Sequence, residues 1–141
     1  MKLAIEEAKK SVESLKCGVV ITKDERVIAK SHNTQRASND ASAHAEINAI
    51  RLAGRKIRNK NLENCTIYCT CEPCIMCLSA IAFAKIKKII YGISLRDVSP
   101  SEKLVDIDID TFLAKTPYTI EVTKNFMKEE CSQLSMQSKT I

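Results

Sequence analysis

The sequence predicts a layered α/β fold in which a mixed sheet carries helices on both faces. Three observations lead there. Short β-rich runs alternate with segments of helical period along most of the chain. The first two runs flank a tight polar turn, so they pair as an antiparallel hairpin. The later runs are separated by helical segments, the spacing of crossover connections, so the sheet is mixed rather than purely antiparallel.

Each element follows in order. Residues 1–15 place Leu3, Ile5, Ala8, Val12 and Leu15 near one helical stripe, which predicts a first helix. CGVVIT (17–22) and RVIAKS (26–31) are strands joined by a KDE turn. HNTQRASNDAS (32–42) is polar and predicts a loop. AHAEINAIRLAG (43–54) predicts a helix with Ile47, Ile50 and Leu52 as core candidates and Gly54 as its stop. Residues 65–70 predict a strand. Pro73 suits the first turn of the next helix, which runs through CIMCLSAIAFAK (74–85). KKIIYGI (87–93) is a further strand. Residues 94–116 predict a loop and then a short helix over 109–114. TIEVTK (119–124) predicts a last strand and NFMKEECSQL (125–134) a last helix, with a frayed tail from about residue 135.

The 141 residues fit a single domain, 1–141, large enough to bury a core without disulfides. No apolar run approaches the ~20 residues that span a bilayer, so no membrane partner is expected. The start, MKLAIEEAKKSVESL, carries charge throughout and lacks the apolar core of a signal peptide. A cytoplasmic setting is expected, where thiols stay reduced, and clustered cysteines there point to metal or catalysis before crosslinks. The net charge of +5 is compatible with a nucleic-acid partner and equally with a solvated surface. Its densest segment, RLAGRKIRNK (51–60), holds Arg51, Arg55, Lys56, Arg58 and Lys60 and no acidic residue.

Two stretches carry the chemistry. CTCEPCIMC (69–77) holds four of the seven cysteines, and SAHAEINAI (42–50) holds one of the two histidines. Cys74 and Cys77 are spaced i, i+3, which puts both thiols on one helical face. A helix N-terminus there favours the thiolates, which are good zinc ligands. With His44 they form a set of three, leaving a tetrahedral Zn²⁺ one open position, as catalytic rather than structural sites do. Glu46 lies two residues from His44 and can move protons without ligating the metal. Two other readings stay open: a redox-active Cys-x-x-Cys, and a closed four-ligand zinc site that adds Cys71. Cys17, Cys65, Cys69 and Cys131 lie in apolar patterns and read as small core residues.

His44-Ala45-Glu46 followed by Pro73-Cys74-Ile75-Met76-Cys77 is similar to the H-x-E … P-C-x-x-C signature of zinc deaminases. From Cys17 to about Gly92 the chain resembles the cytidine-deaminase-like superfamily, in the branch of bacterial guanine deaminases and tRNA adenosine deaminases. The resemblance implies a three-layer α/β/α fold with a five-stranded mixed central sheet. It implies one Zn²⁺ per subunit on His44, Cys74 and Cys77, and usually a homodimer. It implies hydrolytic replacement of an exocyclic amine by oxygen, with Glu46 as the proton carrier. It also implies substrate contacts from Asn33 and from backbone N–H groups near Ala45 and Cys74. SNDASAHAE and CTCEPCIMC look like the guanine-deaminase group, so a small-molecule base or nucleoside is the first expected substrate, guanine before others. EVTKNFMKEECSQL resembles the last helix of the tRNA group, so wobble adenosine in tRNA is the alternative. A non-catalytic zinc module that binds RNA or protein is the third. The loop 94–101 is expected to border the pocket and carry much of the selectivity.

Overall fold

The computed structural model describes residues 1–98, 100–102 and 104–136; of the tail expected from about residue 135, residues 135 and 136 belong to the last helix and those from 137 onward lie outside the described residues. Among the described residues one five-stranded sheet has the order β2-β1-β3-β4-β5. Strands β1 (Gly18–Lys23) and β2 (Arg26–His32) form the predicted hairpin. Its turn residues Asp24 and Glu25 both have positive φ, the left-handed geometry that a two-residue hairpin loop requires. β3 (Cys65–Cys71) runs antiparallel to β1, whereas β4 (Lys88–Ile93) and β5 (Glu121–Thr123) follow it in parallel. The sheet is therefore mixed, as expected.

Two apolar clusters lie against this sheet. The larger joins Val19 and Ile21 of β1, Ile67 and Cys69 of β3 and Ile89 of β4 to helices α3 (Ala45–Ile57) and α4 (Ile75–Phe83). The smaller joins Cys71 and Ile93 to Ile5 and Ala8 of α1 (Lys2–Ala8) and to Cys131 and Leu134 of α6 (Lys128–Met136). Two glycines let the helices of the second cluster approach. A Cβ on Gly18 would lie 1.9 Å from Ala4 O, and one on Gly92 would lie 2.4 Å from Cys131 Sγ. Any side chain at either position would push α1 or α6 off the sheet.

Several elements differ from the sequence expectation. α1 stops at Ala8 because Ser11 leaves the helical path: its hydroxyl donates to Asn33 O and accepts from Glu13 N. Leu3 and Val12 are consequently exposed, while Ala4, Ile5 and Ala8 are buried. The polar loop contains a short helix, α2 (Gln35–Ser38), closed by Asn39 in the left-handed region. α3 runs through Gly54 and ends at left-handed Arg58. Its core face is Ala45, Ala49 and Ala53, not the larger Ile47 and Leu52, and Leu52 is exposed. Three alanines one turn apart present a flat stripe that packs close to the sheet. Pro73 precedes α4 instead of lying in its first turn, and Cys71 is the last residue of β3 rather than part of a connection. α5 (Ile109–Lys115) lies where the short helix was expected. α6 begins late because Asn125 and Met127 both adopt positive φ.

Candidate active site

His44 is the N-cap of α3 and Cys74 is the N-cap of α4. Their backbones are nearly the same, with φ −69° and ψ 155° at His44 and φ −69° and ψ 170° at Cys74. An N-cap side chain normally accepts from the N–H groups of its own first turn, a task suited to Ser, Thr, Asp or Asn. Neither side chain does so here. Both turn toward each other across the gap between the two helices.

The result is a compact donor set. Cys74 Sγ lies 3.7 Å from His44 Nδ1 and 3.7 Å from Cys77 Sγ, and Cys77 Sγ lies 3.6 Å from His44 Nδ1. A tetrahedron with Zn–S near 2.3 Å and Zn–N near 2.05 Å has edges of about 3.8 Å between sulfurs and about 3.6 Å between sulfur and nitrogen. The three donors fit zinc on chemistry and on spacing. Among the described residues they are the group of His, Cys, Asp or Glu side chains positioned to hold a metal ion. The thiols lean in opposite directions because they face one another. Hydrogen bonding with Cys77, aided by His44, lowers Cys74 to about 4 against the penalty of burial, while Cys77 is pushed far up by Cys74 and by burial. The hydrogen bond to Cys74 raises His44 above its ordinary value.

Glu46 lies in the first turn of α3 and is buried, with Cys77 Sγ donating to its Oε2 at 3.3 Å. Burial, with the Cys74 charge nearby, raises its carboxyl above the usual range. The carboxylate thus touches the donor set without belonging to it. Ala45, fully buried, is the first helical residue, so its N–H has no intrahelical acceptor.

Asn33 is buried beside this region, but its amide is engaged in the fold. Oδ1 accepts from Cys17 N at 3.0 Å and Nδ2 donates to Leu15 O at 2.8 Å, tying the entry of β1 to the exit of β2. Both polar atoms of the Asn33 side chain thus have backbone partners, so the fold itself accounts for an asparagine here. Cys71 is buried in the second cluster, where its hydrogen bond with Cys17 and then burial raise its pKa well above the thiol norm. It is outside the donor set, so among the described residues the closed four-ligand site that adds Cys71 does not form. Cys65, Cys69 and Cys131 are core residues, as expected, and all seven thiols are free.

Two polar residues escaped the sequence reading. Asn48 Nδ2 donates to His32 O and Thr34 Oγ1, each at 3.0 Å, and so holds the chain before α2 against α3. Glu72, directly before Pro73-Cys74, is only 3% exposed. Its Oε2 accepts from Leu95 N at 2.9 Å and Ser94 Oγ at 3.0 Å, and its Oε1 accepts from Ile109 N at 2.9 Å. One carboxylate therefore pins both ends of the segment between β4 and α5 two residues from a metal donor. Its place beside Pro in the signature was the available signal, but nothing local announces partners so distant in sequence.

Residues 1–93 match the cytidine and deoxycytidylate deaminase zinc-binding region. The chain belongs to this zinc deaminase family. It is 35% identical over 136 residues to a tRNA-specific adenosine deaminase of Buchnera aphidicola subsp. Schizaphis graminum (strain Sg), covering 95% of this chain and 87% of that one. A structure solved in a study of A-to-I editing by tRNA:A34 deaminases at the wobble position superposes with TM-score 0.82 at 33% identity, covering 95% and 96% of the two chains. A guanine deaminase from Bacillus subtilis superposes with TM-score 0.66 at 32% identity, covering 99% and 92%. The five-stranded mixed sheet, the zinc cofactor and hydrolytic deamination of a nucleobase or nucleoside are thus family properties of this chain.

Two outcomes test the site. Zinc analysis of purified single variants should show loss of metal in His44→Ala, Cys74→Ser and Cys77→Ser and full retention in Cys71→Ser; metal loss in Cys71→Ser equal to that in Cys74→Ser would return Cys71 to the ligand set. Glu72→Gln sets an amide N–H against N–H donors in a buried site, and urea unfolding should show a loss of about 1–3 kcal/mol. An unchanged midpoint would mean that the three bonds to Glu72 are not maintained in solution.

Proposed function

We propose that the chain deaminates adenosine in tRNA at the wobble position, giving inosine and ammonia. The observation that carries this reading is the whole-length likeness to the wobble-editing structure, with TM-score 0.82 at 33% identity over 95% of this chain. The Buchnera relative supports it independently. The guanine-first ordering moves to second place, and the structure supplies a reason. The Ser38-Asn39-Asp40 segment builds the turn before α3: Asn39 closes α2, and Asp40 Oδ1 accepts from Ser42 N at 2.8 Å and Ser42 Oγ at 2.7 Å. Cys71 packs in the second cluster. Both features that pointed to guanine thus serve local folding.

His44, Cys74 and Cys77 hold the metal in this reading. Zinc bound there supplies Lewis acidity that makes water a competent nucleophile near neutral pH. Glu46 accepts one proton from the attacking water and passes it to the ring nitrogen, then takes the second proton from the added hydroxyl and passes it to the departing amine. Water adds its oxygen at the amine-bearing carbon, the C–N bond breaks, and ammonia leaves. The role of Glu46 rests on its place: buried, against the donor set and not part of it. The free N–H of Ala45 is assigned to substrate or intermediate, while Asn33 contributes by shaping the wall from which a base is reached.

A homodimer is part of the proposal. α4, IMCLSAIAF, carries no charge, and its outer residues Ile75, Met76, Ala80 and Phe83 are partly or fully exposed, with Phe83 at 86%. A helix apolar all round belongs in a core or against a partner. Among the described residues no helix is long and apolar enough to cross a membrane. The reaction is assigned to the cytoplasm, where tRNA resides and seven free thiols stay reduced.

The deciding experiment is ammonia release by zinc-loaded protein from guanine, guanosine, adenine, adenosine, cytosine, cytidine and a tRNA anticodon stem-loop. Turnover is expected with the stem-loop alone, and turnover of guanine in its place would reverse the assignment. Glu46→Ala should lower kcat by at least about 10²-fold with zinc retained. Sedimentation should give twice the chain mass, and Phe83→Asp should give the monomer; a monomeric wild type at assay concentration removes the dimer.

A further inference from the structure

The basic segment 51–60 has no part in the site described above. Its five cations equal the chain's entire net charge of +5, so the remaining residues balance to zero. The charge that could attract a polyanion is therefore concentrated rather than spread. Arg51 and Arg55 follow His44 at steps of seven and eleven residues, the recurrence of one helical stripe, and Arg58 caps the end of the same helix. At 1.5 Å per residue the first two lie about 10 and 16 Å along α3 from the metal donor at its start. The same three arginines, with Lys60, line one shallow open concavity of about 340 Å³ to which Gly54 also contributes.

A solvated helix end accounts for only part of this. Cations in the last turn complement the helix dipole, which explains Arg55 and Lys56. It does not explain Arg51, a turn earlier, or the depression between the arginines. Gly54 costs the helix roughly 1 kcal/mol relative to alanine and opens that depression. The nearest ion pair is weak, Arg51 to Asp40 at 4.0 Å with both side chains largely exposed. Among the described residues Arg55, Lys56, Arg58 and Lys60 have no ion-pair partner. Guanidinium groups in a row around an open trough suit successive phosphates of a strand better than an enclosed small molecule.

We propose that Arg51, Arg55 and Arg58 form a phosphate-backbone track for the RNA substrate, running along α3 away from the active site. This rests on the RNA reading above and extends it from the reacting base to the flanking strand. The track positions the strand and reads no sequence, as phosphate contacts do.

The test is fluorescence anisotropy of a labelled anticodon stem-loop with zinc-loaded protein over a range of salt concentrations. The triple variant R51Q/R55Q/R58Q should bind at least about tenfold more weakly. Its log Kd against log salt slope should fall by about 2–3, one step of 0.7–0.9 per lost contact. The charge-keeping R51K/R55K/R58K should retain most of the binding and the slope. The control K2Q/K30Q/K87Q removes three exposed lysines elsewhere and should change little. Equal loss in the control would mean that bulk charge, not this track, is at work, and unchanged binding in the arginine triple would also overturn the proposal. Circular dichroism and zinc content of each variant separate misfolding from lost contact. Because binding is measured without turnover, RNA binding that depends on the arginines with no ammonia release would sink the proposed reaction and leave the track standing.

Discussion

Everything at the site depends on two helices beginning at the same point in space. α3 starts at His44 and α4 at Cys74, thirty residues later, and the two N-caps face one another. Each first turn points unsatisfied N–H groups and a partial positive charge at the gap. Thiolate charge is stabilised there before any metal arrives. The helices also forgo their capping bonds at these positions, each worth typically about 1 kcal/mol. That loss is tolerable only if another interaction fixes the side chains, and three donors at tetrahedral spacing are that interaction. Removing the cap residue therefore removes a ligand, and the two consequences cannot be separated by a capping substitute such as serine.

The sheet order makes the meeting possible. β3 is flanked by β1 on one side and β4 on the other, antiparallel to the first and parallel to the second. The chain leaves the carboxyl end of β3 directly into Glu72, Pro73 and the start of α4. Ligands in open α/β sheets collect outside such strand ends. Glu72 then closes the arrangement. It is a buried carboxylate satisfied by two backbone N–H groups and a hydroxyl. Through it the segment after β4 and the first residue of α5 are held to the metal-bearing turn. Leu104, Val105 and Ile107 in that segment are exposed, so it is anchored at its ends and presents three apolar side chains among its charged ones.

The legible parts of this molecule were those where one residue type has few alternatives. His-x-Glu and Pro-Cys-x-x-Cys named the donor set because ligation tolerates almost no substitution, and the alternating patterns named all five strands. Helix boundaries were less legible for physical reasons. α1 is cut short by a hydroxyl that bonds Asn33, twenty-two residues away. Gly54 looked like a stop, yet α3 tolerates it and ends four residues later on a left-handed arginine. The core face of α3 was missed because alanine carries little hydrophobic signal, although close packing against a sheet favours it. Glu72 and Asn48 were missed because their partners are set by the fold and not by neighbours in sequence.

Substrate choice was the least legible of all, and the structure shows why the chemistry and the selectivity separate. The three metal donors and the buried Glu46 sit in the first turns of two helices that pack on the sheet, where side-chain identity is tightly constrained. The segment pinned by Glu72 and the arginine stripe on α3 lie on the surface, where many sequences satisfy the same fold. Residues that seemed to mark a subfamily, Cys71 and Ser38-Asn39-Asp40, proved to serve packing and turn formation. Features that do distinguish substrates have to be exposed, and exposed residues leave little periodic pattern. A base is deaminated wherever the two helix starts converge. Whether it arrives free or on a strand depends on what the surrounding surface can hold, and here five cations without an acidic residue among them fall in residues 51–60, at the end of α3 and just beyond it.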